Sequence, residues 1–115
     1  MLTIDLSKRL SASEEIPDAI IRQYVGGRGL GSYLLYRLVP AKADPLGPDN
    51  HLIFTAGALS GTGFFYSSKA NLTTKSPQTG IYLYSICSGI LAQEMRKAGT
   101  GPLTSRGLLN LPHTW

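Results

Sequence analysis

Cysteine is almost missing from this sequence. Cys87 is the single one in 115 residues, which excludes a disulfide within the chain and any iron–sulfur or zinc site built from its own thiolates. Charge is sparse as well: 11 Lys and Arg stand against 7 Asp and Glu, a formal +4. The basic residues nowhere form the stripe that marks nucleic-acid modules, so the surplus is only a mild bias toward anionic partners. No apolar run approaches the ~20 residues needed to cross a bilayer, and residues 1–8 lack a basic segment leading into an apolar one. A cytoplasmic protein is expected. His51 and His113 are not at metal-ligand spacing from each other or from a carboxylate cluster. The loop at 57–63 has no following Lys-Ser or Lys-Thr, so it is no P-loop. Internal repeats and low-complexity runs are also lacking.

What is present suits one modest folded domain. Hydrophobic residues make up 43% of the chain and charged ones 16%, a globular balance. Thirteen Gly and seven Pro imply much loop and many tight turns.

Residues 2–6 alternate, with Leu2, Ile4 and Leu6 on one face of an expected strand, and residues 7–15 allow a short return strand. Pro17 opens a helix whose buried face holds Ile20, Ile21, Tyr24 and Val25, with Gly26 as its C-terminal cap. The run Gly26-Gly27-Arg28-Gly29-Leu30-Gly31 follows a helix rather than a strand and has the wrong glycine spacing for a dinucleotide fingerprint. It reads as an inter-helix turn before a second helix at 30–38 that buries Leu30, Leu34 and Leu38. Residues 39–50, rich in Pro, Asp and Gly, form an ordered surface connection.

The organising stretch is 52–89. Residues 52–56 are apolar on both faces and predict an interior strand. Residues 69–74 alternate, with Lys69 and Asn71 on the more polar side. Residues 81–86 are again apolar on both sides, and Tyr82 and Tyr84 there are expected in the core. Ser88 is a plausible N-cap for a third helix that buries Ile90, Leu91, Met95 and Ala98 and ends at Gly99. Cys87 before it is expected to be a small buried residue. From Thr100 to Trp115 neither helical nor strand periodicity is visible. One arrangement carries chemistry: small-residue loops at 57–63 and 74–80 flank the Lys69 strand, and Ser88-Gly89 stands at a helix start. Backbone N–H groups and one lysine charge in that arrangement suit an anionic group.

Several of these segments, in this order and spacing, resemble a known family. They are Val25-Gly26-Gly27-Arg28-Gly29-Leu30-Gly31, then Asp44-Pro45-Leu46-Gly47-Pro48-Asp49-Asn50-His51-Leu52, then Gly57-Ala58-Leu59-Ser60-Gly61-Thr62. Thr74-Lys75-Ser76-Pro77-Gln78-Thr79-Gly80 and Glu94-Met95-Arg96-Lys97-Ala98-Gly99 complete the series. Over residues 1–99 the sequence resembles the N-terminal domain of the tungsten-containing aldehyde ferredoxin oxidoreductases. The resemblance implies an α+β fold, a mixed β-sheet with short packing helices, forming part of a base that cradles a bis-pterin cofactor. It implies an enzyme that oxidises aldehydes to carboxylic acids at tungsten, or molybdenum in some relatives, and passes electrons through a [4Fe-4S] cluster to ferredoxin.

By the same resemblance, Lys69 occupies the place of an arginine that contacts the pterin. It keeps the charge and loses the planar fork. Ile86-Cys87-Ser88-Gly89 matches an Asn-Ser-Gly-Gly turn at the cofactor. Ile86 cannot replace the Asn side chain, whereas Ser88 and Gly89 retain backbone N–H groups. Lys69, Ser88 and Gly89 are therefore the expected cofactor contacts, with no catalytic or metal-binding residue in this chain.

Residues 100–115 depart from the family's continuation, and a divergent tail is expected there, as a frameshift or stop after Gly99 would give. A family-like continuation downstream of the Gly99 codon in another frame, with a Cys-x-x-Cys-x-x-x-Cys run, would test this. A chain of this kind is expected to be inactive alone and to need the remainder of the enzyme, which a separately encoded partner could supply. Two alternatives from other classes are a small basic anion- or nucleic-acid-binding module, marked by salt-dependent binding, and a non-catalytic subunit that completes its sheet with a partner.

Overall fold

A computed structural model describes residues 1–107. The alternating N-terminal segment forms β1 (Leu2–Asp5), and the polar return forms β2 (Leu10–Ser13). Helices α1 (Asp18–Tyr24) and α2 (Gly27–Leu38) follow, then strands β3 (His51–Ala56), β4 (Lys69–Lys75) and β5 (Tyr82–Ser88), helix α3 (Leu91–Lys97) and β6 (Leu103–Arg106). All six strands lie in one sheet, ordered β2-β1-β6-β3-β4-β5. Only β1 and β6 run parallel; the other neighbours are antiparallel. The expected α+β class with a mixed sheet is what the chain adopts.

Two-residue periodicity divides the sheet into faces. Register places Ile53 opposite Thr73 and Thr55 opposite Asn71, and these face α2. Leu30, Leu34, Leu35 and Ile53 form the buried cluster between helix and sheet, with Ile20, Tyr24 and Tyr33 packed around it. Gly31 is what lets α2 approach so closely: a Cβ there would meet the Thr73 hydroxyl at 2.6 Å. The opposite face carries Phe54, Ala70 and Leu72, partly covered by α3 through buried Ala92 and Met95.

The glycine-rich run is not one turn. Val25 and Gly26, the latter at φ +134, join the helices, and Gly27, Gly29 and Gly31 belong to α2. Val25 rather than Gly26 ends α1, at φ +63, a costly conformation for a β-branched residue. Strand β3 is interior, as expected, between β6 and β4.

Three expectations are corrected. Strand β5 is an edge strand, most of whose residues are exposed, because α2 covers only part of its face. Tyr82 and Tyr84 are accordingly half-open: Ser32 donates a 3.0 Å hydrogen bond to the Tyr82 hydroxyl, and the Arg28 guanidinium lies 4.9 Å from the Tyr84 ring. Cys87 on the same strand is exposed and not a core residue.

The largest correction concerns the tail. Residues 103–106 are β6, paired on one side with β1 and on the other with β3, and Thr104 is completely buried. The segment after Gly99 is therefore a central strand of the fold. Four residues are too few for a periodic signal, and its partners lie far away in sequence. The part of the expected tail at 108–115 lies outside the described residues.

His51 starts β3, as expected, and is 6% exposed, with Nδ1 2.9 Å from Thr104 Oγ1. Burial, reinforced by the charge of Arg106, holds its pKa below the ordinary value of 6.5, against weaker opposite pulls from Asp49 and Asp5. The unfolded chain then binds the proton more readily, so stability should fall as pH drops below about 6.5. Asp5, held low first by the Lys8 amide and then by Arg106, acts in the same direction at lower pH. The denaturation midpoint should thus decline from pH 7 to pH 5; a flat profile would show that His51 titrates alike in both states.

Candidate functional site

Lys69 begins β4 and Ser88 ends β5, and antiparallel register sets them directly opposite one another. Both belong to the α2-side parity of the sheet, with Asn71 and Ile86 as the next rung. Gly89 follows at φ +125, with open space where a side chain would stand. Only glycine takes this conformation without strain. Ser68 Oγ donates to the Gly89 carbonyl, which ties the loop before β4 to the turn after β5. The three residues expected from the sequence therefore meet around one cleft of about 290 Å³, which Tyr66, Ser68 and Gln93 also line.

The expected helix start is not there. Ser88 is the last residue of β5, α3 begins at Leu91, and no side chain caps it. Seven residues make a short helix, so its dipole adds little. The cationic contribution comes from Lys69, whose ammonium forms no salt bridge among the described residues.

A second cleft, of about 520 Å³, is lined by Lys69 and Asn71 of β4, by the 57–68 loop and by Val25. Lys69 and Tyr66 line both clefts. Gly27 comes close enough to β4 that a Cβ there would lie 3.3 Å from Asn71 Nδ2, and Thr55 Oγ1 donates a 2.8 Å hydrogen bond to the Gly27 carbonyl. The 57–68 loop is tied across itself and anchored once from α3. Ser60 Oγ donates to the Ser67 carbonyl at 2.8 Å, and Arg96 donates to the Ala58 carbonyl at 3.1 Å. On this anchored loop Phe65 is 84% and Tyr66 97% exposed.

The sequence expectation named Lys69, Ser88 and Gly89, with Asn71 on the same strand face as Lys69, and gave no sign of Tyr66 or of the approach of Gly27. Asn71 was visible only as a polar strand residue, and nothing local signals that α2 begins against it. The arrangement offers a cation, hydroxyls and an open backbone turn beside exposed aromatic surface. That chemistry suits a ligand with an anionic group and a planar or apolar body. Among the described residues no group of three or more His, Cys, Asp or Glu could hold a metal ion, and no helix is long and apolar enough to cross a membrane.

Comparison with known proteins agrees with this architecture. The chain is 37% identical over 111 residues to the tungsten-containing aldehyde ferredoxin oxidoreductase of Thermococcus kodakarensis, a match covering 96% of this chain and 18% of that protein. It is 31% identical over 115 residues to the aliphatic sulfonate oxidoreductase, WOR-like subunit, of Pyrococcus furiosus, with 97% of this chain and 18% of that one covered. Among solved structures, the active site complex BamBC of benzoyl coenzyme A reductase, in complex with 1,5-dienoyl-CoA, superposes with a TM-score of 0.88 at 33% identity, over 92% of this chain and 16% of that one. This chain thus spans about a fifth of the length of the relatives it matches. The model of the aldehyde ferredoxin oxidoreductase N-terminal domain matches residues 1–112, beyond Gly99 and through β6, so the sequence does not leave the family where the divergent tail was expected. The chain belongs to the aldehyde ferredoxin oxidoreductase N-terminal domain family.

Proposed function

We propose that this chain supplies one side of the cofactor-binding base of a tungsten-pterin oxidoreductase that oxidises aldehydes to carboxylic acids, with ferredoxin as electron acceptor. The carrying observation is the rung that sets Lys69 opposite Ser88 and next to Gly89, in a cleft with no carboxylate paired to the lysine. The donor set fits the group. An ammonium suits a pterin phosphate, a single contact where arginine would make a fork. The open Gly89 turn admits close backbone approach, and Ser88 offers a hydroxyl.

When bound, the tungsten-pterin centre supplies the two-electron chemistry, and the protein supplies position and electrostatics. In this chain Lys69 would neutralise phosphate charge, and Ser88 and Gly89 would orient that end of the cofactor. The anchored 57–68 loop would shield it from water. With Cys87 as its one thiol, a [4Fe-4S] cluster and the rest of the cradle must come from residues outside this sequence, in a longer or separately encoded polypeptide. The purified 115-residue chain is therefore expected not to turn over an aldehyde with a viologen dye. Binding of a pterin monophosphate, followed by its fluorescence, should weaken roughly tenfold in Lys69→Ala and largely recover in Lys69→Arg. Equal binding by all three proteins would overturn the assignment of Lys69.

A further inference from the structure

Away from the Lys69 cleft, α2 leaves part of its own side of the sheet uncovered. The helix packs over β3 and β4, and beyond its C-terminal turn the floor passes to β6 and β1. Alternation makes that floor polar: Thr3 pairs with Thr104, Asp5 with Arg106, and Arg106 with His51. The result is a trough of about 480 Å³, walled by Arg37 from α2 and by Lys8 and Ser11 from the β1–β2 hairpin.

His51 is the unusual member. It is more than nine-tenths buried, yet only one of its ring nitrogens, Nδ1, has a hydrogen-bond partner among the described residues. Buried polar atoms are normally satisfied. Among the described residues Thr73 Oγ1 is the one fully enclosed side-chain polar atom without a partner, so the second ring nitrogen of His51 is not counted among such sealed atoms. His51 lines this trough and also a cleft beside Leu52 and Ser105, and strand parity with Ile53 and Arg106 puts its side chain on the trough face.

The charges around it are arranged rather than scattered. Arg106 is held against Asp5 by a 3.0 Å ion pair, which neutralises the only carboxylate on the floor. Arg37 is steadied by a 2.9 Å hydrogen bond to the Tyr33 hydroxyl and stacks 5.8 Å from the centre of that ring. Lys8 forms no salt bridge among the described residues. Glu14, at the outer rim, is the second carboxylate.

We propose that this trough is a second ligand site, separate from the Lys69 cleft, which binds a small oxyanion, a carboxylate or phosphate group, between Lys8, Arg37 and the free ring nitrogen of His51. The bound anion accepts charge-assisted hydrogen bonds from Lys8 and Arg37 and favours the protonated imidazole, which then donates to it. The groups facing His51 are Asp5, Lys8, Glu14, Arg37, Arg106 and the Met1 amine in the trough, with Asp49 just before β3. Before binding, the imidazole is biased toward its neutral form, so occupancy should be accompanied by proton uptake.

The test uses the full chain, with inorganic phosphate and succinate as separate probes at matched ionic strength. Nuclear magnetic resonance of the His51 ring reports occupancy, with the other histidine, His113, as internal reference. The expected result is a saturable change at His51, with its pKa raised by the bound anion. Lys8→Gln/Arg37→Gln, which alters exposed side chains only, should weaken binding roughly tenfold or more while leaving thermal unfolding close to that of the unaltered chain. Response to only one probe identifies which oxyanion the site takes. The absence of a His51 response to either probe, or the same response in the double variant, would overturn the proposal.

Discussion

A chain shortened to end at Gly99 should fail to fold. Strand β6 lies between β1 and β3, so its removal separates the β2-β1 hairpin from the β3-β4-β5 unit and exposes ladder groups on both sides. Backbone bonds from Leu2 to the Pro102 carbonyl and from Leu6 to the Arg106 carbonyl, at 2.9 and 2.8 Å, would go with it. Each buried backbone group left without a partner costs about 1–3 kcal/mol, and the loss of several exceeds the ~5–15 kcal/mol that stabilises a small domain. The shortened chain should show no cooperative transition in denaturant. Thr104→Pro in the full chain isolates the strand from the other deleted residues. It removes one central N–H, introduces a ring into a fully buried position, and should also abolish cooperativity. A native-like transition in either variant would mean that β6 is dispensable.

Gly31→Ala should cost about 1–3 kcal/mol, in a position where alanine would ordinarily improve a helix by about 1 kcal/mol. The added Cβ would stand 2.6 Å from Thr73 Oγ1 and 3.5 Å from Thr55 Oγ1. Thr73 is completely buried on an interior strand, so it has no direction in which to yield. Its hydroxyl also has no hydrogen-bond partner, and removing it breaks nothing polar. Gly31→Ala combined with Thr73→Ala should therefore be more stable than the two separate losses predict. That coupling can be read from denaturant midpoints in a double-mutant cycle. Additive losses would place the cost of Gly31→Ala in the helix backbone and not at this contact.

The same residues show how much could be read before folding was known. The alternation in residues 2–6 and 69–74, and the doubly apolar run at 52–56, fixed three strands and their faces, because side-chain direction in a strand depends only on sequence parity. Lys69 was found as the charged member of its strand, and Ser88 and Gly89 as small residues at a turn. Residues 81–86 misled for a physical reason. An edge strand and a buried strand share the same apolar composition, and only the position in the sheet distinguishes them. Cys87 was misplaced with it. The helix expected to start at Ser88 starts later, since strand pairing with Lys69 holds Ser88 in extended conformation. Residues 103–106 escaped notice because four residues carry little pattern, and their pairing energy comes from strands about 50 and 100 residues earlier.

Although Ile21, Val25, Ile90 and Leu91, expected in buried helix faces, are exposed, the sequence by itself determined the family, the interior strand β3 and the buried face of α2 at Leu30 and Leu34. These depend on local chemistry and spacing, which survive in a linear reading. Tertiary structure alone decided that β6 completes the sheet, that Lys69 and Ser88 share a rung, that Gly31 meets Thr73, and that His51 lines one trough with Lys8 and Arg37. Each of these joins residues distant in the chain, and such contacts are set by strand register and packing, for which no local segment carries a signal.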